Sequence, residues 1–210
     1  MREVIREAVI IQAIRTPIGK GKHGPKGTLS VFHPAHLLAK VQEAVVERAG
    51  IDPAEVEQII GGCVTQAGEQ SNNIARNAWL TRGKQYSVAG TTVDTQCGSS
   101  QQANHLVSAM VKAGSIDVGI ACGVEVMSHV GLGANVMHGP GFFLTADWPC
   151  DSTLHQFASA ERIAKKRGIT RADCDALALR SQQKAIQATE EGRFKREILP
   201  IDAPVLGDDG

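Results

Sequence analysis

One cysteine of the sequence stands where a nucleophile would be expected. Cys97 lies in Thr-Gln-Cys-Gly-Ser-Ser, residues 95–100, after an uncharged β-branched stretch, 87–93, and before apolar residues at helical spacing, 103–111. The first stretch predicts a buried strand, and the second predicts a helix that ends near Gly114. Cys97 therefore falls at a helix N-terminus, where N–H groups and the helix dipole favour a thiolate and can hold an oxyanion.

The local pattern leaves two interpretations of Cys97 open. It is either a nucleophile or one more buried thiol, because most structural cysteines behave as small hydrophobes. The other cysteines, Cys63, Cys122, Cys150 and Cys174, are widely separated, and the sequence contains no Cys-x-x-Cys pair. This spacing is unlike that of a zinc site or a disulfide framework, so we predict reduced thiols and no metal site.

The elements around Cys97 alternate as they do in α/β proteins. Besides the strand before Cys97, strands are predicted at 8–14, 58–64 and 116–123. Helices besides the one after Cys97 are predicted at 34–49, from a cap at Ser71 to Gly83, at 154–167 and at 171–191. Such alternation favours a sheet with helices on both faces. Glu125 follows the last of these strands, where we expect a buried carboxylate with a structural rather than a catalytic role.

Four segments, in this order and spacing, resemble one enzyme family. They are Arg-Thr-Pro-Ile-Gly-Lys at 15–20, Val-Asp-Thr-Gln-Cys-Gly-Ser at 93–99, Gly-Val-Glu-Val-Met-Ser at 123–128, and a set of short matches within 159–181. They resemble segments of the thiolases, the acyl-CoA acetyltransferases, and the agreement extends over nearly the whole chain.

The resemblance implies a fold and a division into domains. The expected fold is the layered α/β fold of thiolases, with a mixed central sheet, helices on both faces and a loop-rich helical insertion. Residues 1–127 would form the N-terminal core, and residues 128–210 a subdomain for the coenzyme A pocket and subunit contacts. The family's C-terminal domain, with its Gly-His-Pro and Cys-x-Gly segments, has no counterpart in this sequence.

The resemblance also implies a reaction. Cys97 would form an acyl-enzyme during thiolytic cleavage of a 3-oxoacyl-CoA, or during the reverse Claisen condensation. Coenzyme A would be a co-substrate, with no tightly bound cofactor, and His155 would bind substrate beside the coenzyme pocket. The catalytic base would come from a complementary C-terminal half, so this chain alone is expected to be inactive, and a homo-oligomer is also expected.

Several residues depart from the family pattern near Cys97. Asp94 replaces the usual Asn, Ser100 replaces a Gly and Gln101 replaces an apolar residue, while Gln156 stands where a Met commonly follows the His. The neighbourhood of Cys97 resembles that of thiolases that accept bulky, steroid-derived acyl-CoA esters. An acyl group other than a simple straight chain is therefore expected.

Two other functions remain open from the sequence. A ketoacyl-synthase-type condensing enzyme would use the same strand–Cys–helix arrangement with acyl carrier protein, although the Arg-Thr-Pro and Glu-x-Met-Ser segments favour a thiolase. A non-catalytic acyl-CoA-binding or assembly subunit would need no intact nucleophile segment.

Charge and hydropathy exclude some partners. The 210 residues carry 22 basic and 22 acidic side chains, which argues against nucleic acid or an anionic membrane as the main partner. No apolar run of about 18 residues occurs, and the first residues are charged, so a cytoplasmic protein is expected. The basic cluster Lys165, Lys166, Arg167 and Arg171 is interpreted as a solvated helix end or as a contact for the phosphates of coenzyme A.

Overall fold

The computed structural model describes residues 6–21, 27–83, 86–137, 144–151 and 156–204. The chain divides into two compact units, one formed by residues 1–140 with 197–210 and the other by residues 141–196. The domain boundary expected at residues 127 and 128 stays a prediction.

The first unit contains a sheet of three parallel strands in the order β2-β1-β3. The strands are β1 (Gln58–Gly62), β2 (Ala89–Val93) and β3 (Gly119–Gly123). Gln58 pairs with Ala89 on one side and with Gly119 on the other. Because the strands are parallel, their carboxyl ends lie at one edge of the sheet. The predicted α/β class is confirmed, while the antiparallel member of a mixed sheet does not occur among the described strands.

Helices cover both faces of this sheet, as predicted. Gly61 and Gly62 are consecutive in β1, so substituents on them would point to opposite faces. A Cβ at Gly61 would meet the Ala75 side chain at 2.6 Å, and a Cβ at Gly62 would meet the Cβ of Ser99 at 2.8 Å. Ala75 and Ser99 belong to helices on opposite faces. The α-helices in the described part of this unit are α1 (Pro34–Ala49), α2 (Ile74–Leu80), α3 (Ser99–Lys112) and the single turn α4 (Ala134–Met137).

The hydrophobic core lies between the sheet and the two helices α1 and α2 that cover one of its faces. It is formed by Val46, Val56, Ile59, Ala75, Trp79, Val88 and Ile120. Ile59 is 1% exposed, and burying such a side chain stabilises a fold by roughly 1.5–3 kcal/mol. On α3 only Ser99 and Ala103 are buried, so the side of α3 that faces away from the sheet is open.

Local sequence signals explain where several helices begin and end. α1 begins at Pro34, with the His33 side chain accepting from the Ala35 N–H, and ends before Gly50, which has φ 69°. This matches the predicted helix. The predicted cap at Ser71 is wrong, because α2 begins only at Ile74. Asn72 and Asn73 both have positive φ, so the chain turns at these residues before it enters the helix.

The predicted strand at residues 8–14 is not a strand. Val9, Ile10 and Ile11 are 77%, 81% and 63% exposed, and a groove of about 520 Å³ separates this segment from β3 and α3. A strand requires a hydrogen-bonded neighbour. Within the described residues, no strand or bridge involves 8–14, and the nearest β-pairing is an isolated bridge between Arg15, the next residue, and Ile198. The apolar pattern at 8–14 is therefore present, but among the described residues no neighbouring strand pairs with it.

In its described residues the second unit contains two α-helices, α5 (Gln156–Arg167) and α6 (Arg171–Glu190), and a 3-10 turn, Arg193–Arg196. A capping box starts α6, with the Thr170 side chain accepting from the Asp173 N–H. No residue of either helix is buried, and Phe157 is 88% exposed. The predicted start of α5, at residue 154, lies outside the described residues. Across the described ranges, no helix has both the length and the apolar character needed to cross a bilayer.

Candidate active site

A tight turn between β2 and α3 presents Cys97 at the carboxyl edge of the sheet. The side chain of Cys97 is exposed, and α3 begins two residues later. Gln96, immediately before the cysteine, has φ +52°, in the left-handed region that costs a non-glycine residue about 1–2 kcal/mol. Such backbone strain needs compensating contacts, and it often occurs at functional sites.

Hydrogen bonds from two side chains hold this turn. The Asp94 carboxylate accepts from the Gln96 N–H at 2.7 Å. The buried Ser99 hydroxyl donates to the Gln96 carbonyl at 2.6 Å and accepts from the Thr95 N–H at 2.9 Å. One side-chain oxygen is sufficient at position 94, so the replacement of Asn by Asp preserves this contact.

The backbone of the turn uses some of the N–H groups expected to hold an oxyanion. The Gly98 N–H donates to the Thr95 carbonyl at 3.1 Å, and the Ser99 N–H donates to the Gln96 carbonyl at 3.0 Å. An oxyanion donor must point at the reacting atom, and these two N–H groups point into the turn. These two N–H groups therefore do not supply the expected oxyanion donors, while the positive end of the α3 dipole lies beside the cysteine.

Two glycines at strand ends allow α3 to approach the sheet. A Cβ at Gly62 would lie 2.5 Å from the carbonyl carbon of Ser99, and one at Gly123 would collide with the Ser100 hydroxyl and lie 2.9 Å from the Gly62 carbonyl oxygen. Contacts this short do not occur between real side chains and backbone. The first turn of α3, and with it Cys97, is therefore positioned by the lack of side chains at these strand ends.

A second cysteine at the same edge has a different environment. Cys63 follows β1 directly, is 1% exposed and lies 3.9 Å from the Glu125 carboxylate, measured from its sulfur. Burial raises the pKa of Cys63 to about 12, helped by the negative charge and hydrogen bond of Glu125 and by the charge of Asp94. Cys63 is therefore a core thiol, and it stays protonated near neutral pH.

Glu125 accepts several hydrogen bonds, although the residue is exposed rather than buried as expected. Its carboxylate accepts from the Val64 N–H at 3.0 Å, the Thr65 N–H at 3.3 Å and the Gln70 side chain at 2.8 Å. These contacts are long-range in sequence, so no local pattern around any of the residues could have predicted them.

Two further predictions concern residues of the second unit, 141–196. His155 lies outside the described residues. The basic cluster lies on exposed helices of the second unit, where Arg171 pairs with Asp175 at 2.9 Å. Across the residues that the structure describes, no group of three His, Cys, Asp or Glu side chains could hold a metal ion.

His129 is hydrogen-bonded at both ring nitrogens. Nδ1 lies 2.6 Å from the Glu69 carboxylate, and Nε2 faces the Ser30 carbonyl. These two acceptors, the Ser30 carbonyl first, raise the pKa of His129.

An exposed cysteine in a strained strand-to-helix turn, on a parallel sheet covered by helices, is an arrangement that suits covalent thiol chemistry in an α/β protein. Comparison with known sequences makes this assignment specific. The family described as thiolase, N-terminal domain, matches residues 8–209. The chain belongs to the thiolase family, through its N-terminal domain.

Individual relatives agree with this assignment. The steroid 3-ketoacyl-CoA thiolase FadA6 of Mycobacterium tuberculosis is 36% identical, covering 95% of this chain and 50% of the relative. A 3-ketoacyl-CoA thiolase of Bacillus subtilis is 37% identical, covering 98% and 52%. One from Aliivibrio salmonicida is 39% identical, covering 94% and 50%. The chain therefore spans about half the length of these relatives.

Proposed function

We propose that this protein is an acyltransferase of the thiolase type, with Cys97 as the nucleophile that carries the acyl group. The observation that carries the proposal is the exposed Cys97 thiol in a strained turn at the start of α3. Membership of the thiolase family supports it, and so does the contrast with the buried Cys63, which a nucleophilic role does not suit.

In the proposed reaction, the Cys97 thiolate attacks the 3-keto carbon of a 3-oxoacyl-CoA. The bond between C2 and C3 then breaks, and its electron pair goes to C2 of the departing acetyl-CoA enolate, which takes up a proton. The acyl group remains on the Cys97 sulfur as a thioester. Coenzyme A loses its thiol proton, attacks the thioester and releases acyl-CoA and the free thiolate, which gives ping-pong kinetics.

The other components of the reaction belong to the same proposal. Coenzyme A acts as a co-substrate, and no resident cofactor is required. A complementary thiolase half supplies the base for Cys97 and the acid for the enolate. The segment 128–210, including His155, contributes to the coenzyme pocket and to contacts in a homo-oligomer. The cytoplasm is the proposed location, which cell fractionation tests.

A bulky acyl group is the narrower part of the proposal. Ser100 and Gln101, which depart from the family pattern, are both exposed on the first turn of α3 beside Cys97. The chain is 36% identical to a relative named as a steroid thiolase and 37% identical to one named without that word. Identity alone therefore does not decide between a steroid-derived and a straight-chain acyl group. Competition between a steroid-derived and a straight-chain 3-oxoacyl-CoA in one reaction tests this point.

The proposed activity is tested in the protein as purified from its source, with any co-purifying chain. Cys97→Ala is expected to abolish coenzyme A-dependent cleavage of a 3-oxoacyl-CoA, because the attacking sulfur is lost. Cys174→Ala removes an exposed thiol on α6 and is the matched control, expected to retain activity. Unchanged cleavage by the Cys97→Ala variant would refute the proposal. If the protein accepts acyl groups from acyl carrier protein but not from coenzyme A, it is a ketoacyl synthase. If it binds acyl-CoA without turnover, it is a binding subunit.

A further inference from the structure

The loop after β1 and the segment after β3 are joined at the sheet edge by one carboxylate. One oxygen of Glu125 accepts from the Val64 N–H at 3.0 Å, and the other accepts from the Thr65 N–H at 3.3 Å. Hydrogen bonds to a charged acceptor are stronger than those between neutral groups. Glu125 therefore fixes the backbone that leaves β1 relative to the backbone that leaves β3.

A buried amide reinforces the same connection. Gln70 has no exposed surface, and its side-chain nitrogen donates to the Glu125 carboxylate at 2.8 Å and to the Thr65 carbonyl at 2.9 Å. Its side-chain oxygen accepts from the Val126 N–H at 2.7 Å. Both polar ends of Gln70 are satisfied, so the loop and the segment form one connected network.

The strand ends that this network joins are also the support of α3. Val124 directly precedes Glu125, and its N–H donates to the Gly62 carbonyl at 3.1 Å. Gly62 faces Ser99, and Gly123 faces Ser100. If the two strand ends separate, the first turn of α3 loses the surface on which it packs, and Cys97 precedes that turn by two residues.

We propose that Glu125 is a positioning residue for Cys97, acting through Gly62 and Gly123 on the first turn of α3. This inference rests on the proposed function, since it assigns Cys97 as the group to be positioned. Glu125 contacts neither substrate nor Cys97 in this account. Its carboxylate keeps the strand ends at the separation that the turn requires.

The experiment follows Cys97 in Glu125→Ala, Glu125→Gln and Glu125→Asp, with Glu190→Gln as the control because Glu190 is an exposed carboxylate on α6. The protein is reacted with iodoacetamide over a range of pH, well below its unfolding temperature, and peptide mass mapping gives the rate at each cysteine. Cys174, exposed in the second unit, is the internal reference. The same variants are assayed for acylation of Cys97 and for kcat and KM.

Glu125→Ala is expected to lower the ratio of Cys97 to Cys174 labelling, and kcat, by at least about tenfold, with a small change in KM for coenzyme A. Glu125→Gln, which keeps one acceptor oxygen, should recover part of the loss, and Glu190→Gln should match the wild type. If the variants unfold at a lower temperature but keep the wild-type labelling ratio, pH profile and kcat, Glu125 is merely structural and the proposal is wrong.

The two proposals fail in different ways. If Cys97 of the wild type is never acylated, the proposed function fails, whatever the alkylation ratios show. If the wild type is acylated and all three Glu125 variants are acylated equally fast, only the positioning role fails. Should Glu125→Ala not fold, the Gln and Asp variants carry the same comparison.

Discussion

Cys63 and Cys97 follow neighbouring parallel strands at the same edge of the sheet, yet their environments differ in nearly every respect. Cys63 comes directly after β1, is buried and lies beside the Glu125 carboxylate. Cys97 comes four residues after β2, is exposed and precedes a helix N-terminus. The difference teaches that the path of the backbone after the strand, rather than the strand itself, decides whether a thiol is structural or available for chemistry.

The largest expected effect comes from adding a side chain at Gly62, where the first turn of α3 packs against β1. Gly62→Ala would place a methyl group 2.5 Å from the carbonyl carbon of Ser99, so α3 or the strand must move. Overpacking of this kind costs about 1–3 kcal/mol, and we expect a lower unfolding temperature and a loss of Cys97 acylation. Thermal unfolding and acyl mapping provide the measurements.

Gly131→Ala is the control for this substitution, because no atom lies within 4 Å of a Cβ built at that position. It should leave both stability and acylation unchanged. If Gly62→Ala acylates Cys97 at the wild-type rate, close packing at the strand ends does not position the cysteine.

The contrast between the two cysteines predicts different labelling. In the folded protein near pH 8, iodoacetamide should modify Cys97, Cys150 and Cys174, which are exposed, while Cys63 stays protected by burial and by a pKa near 12. Peptide mass mapping over time measures each rate. Equal labelling rates at Cys63 and Cys97 would show that the two thiols do not differ in accessibility and reactivity.

The raised pKa of Cys63 also predicts how stability depends on alkaline pH. The unfolded thiol, with a pKa near 9, loses its proton first, while the folded thiol keeps its proton up to about pH 12. The unfolded state therefore binds fewer protons in this interval, and stability falls as the pH rises through it. Cys63→Ala should flatten this part of the curve of unfolding free energy against pH, while Cys150→Ala should not.

The smallest expected effect concerns His129, which contacts Glu69 in the loop after Cys63. Contacts with the Ser30 carbonyl and the Glu69 carboxylate raise its pKa in the folded state. The stabilisation is therefore fully present below the unfolded value near 6.5 and disappears as the pH rises through the folded value. His129→Asn should destabilise the protein more at pH 5.5 than at pH 8.5, measured by urea unfolding.

His105→Asn is the matched control for His129, since His105 is exposed on α3. It should leave the stability close to that of the wild type, because an exposed side chain loses few contacts. A His129 variant whose loss of stability is the same at the two pH values would show that the histidine is not held as a cation.

The helices and the position of Cys97 could be predicted because their signals are local. Apolar spacing, Pro34 and Gly50 define α1, and a β-branched run followed by small residues defines the strand, turn and helix around Cys97. The strand predicted at 8–14 failed because apolar character does not supply a neighbouring strand.

The finer geometry of the site could not be predicted, for a related reason. The positive φ of Gln96 has no local marker, because neither glycine nor asparagine stands there. The role of Glu125 depends on N–H groups about sixty residues earlier in the chain. Contacts between residues so distant in sequence form only when the sheet has brought two strand ends together.

The most direct test of the account is to locate the acyl group. The protein, purified with any partner chain, is incubated with an acyl-CoA, and peptide mass mapping finds the modified residue. The account predicts a thioester on Cys97 that disappears when coenzyme A is added, with Cys63 unmodified. An assembled, folded protein whose Cys97 stays unmodified, or one whose acyl group is on another residue, would contradict it.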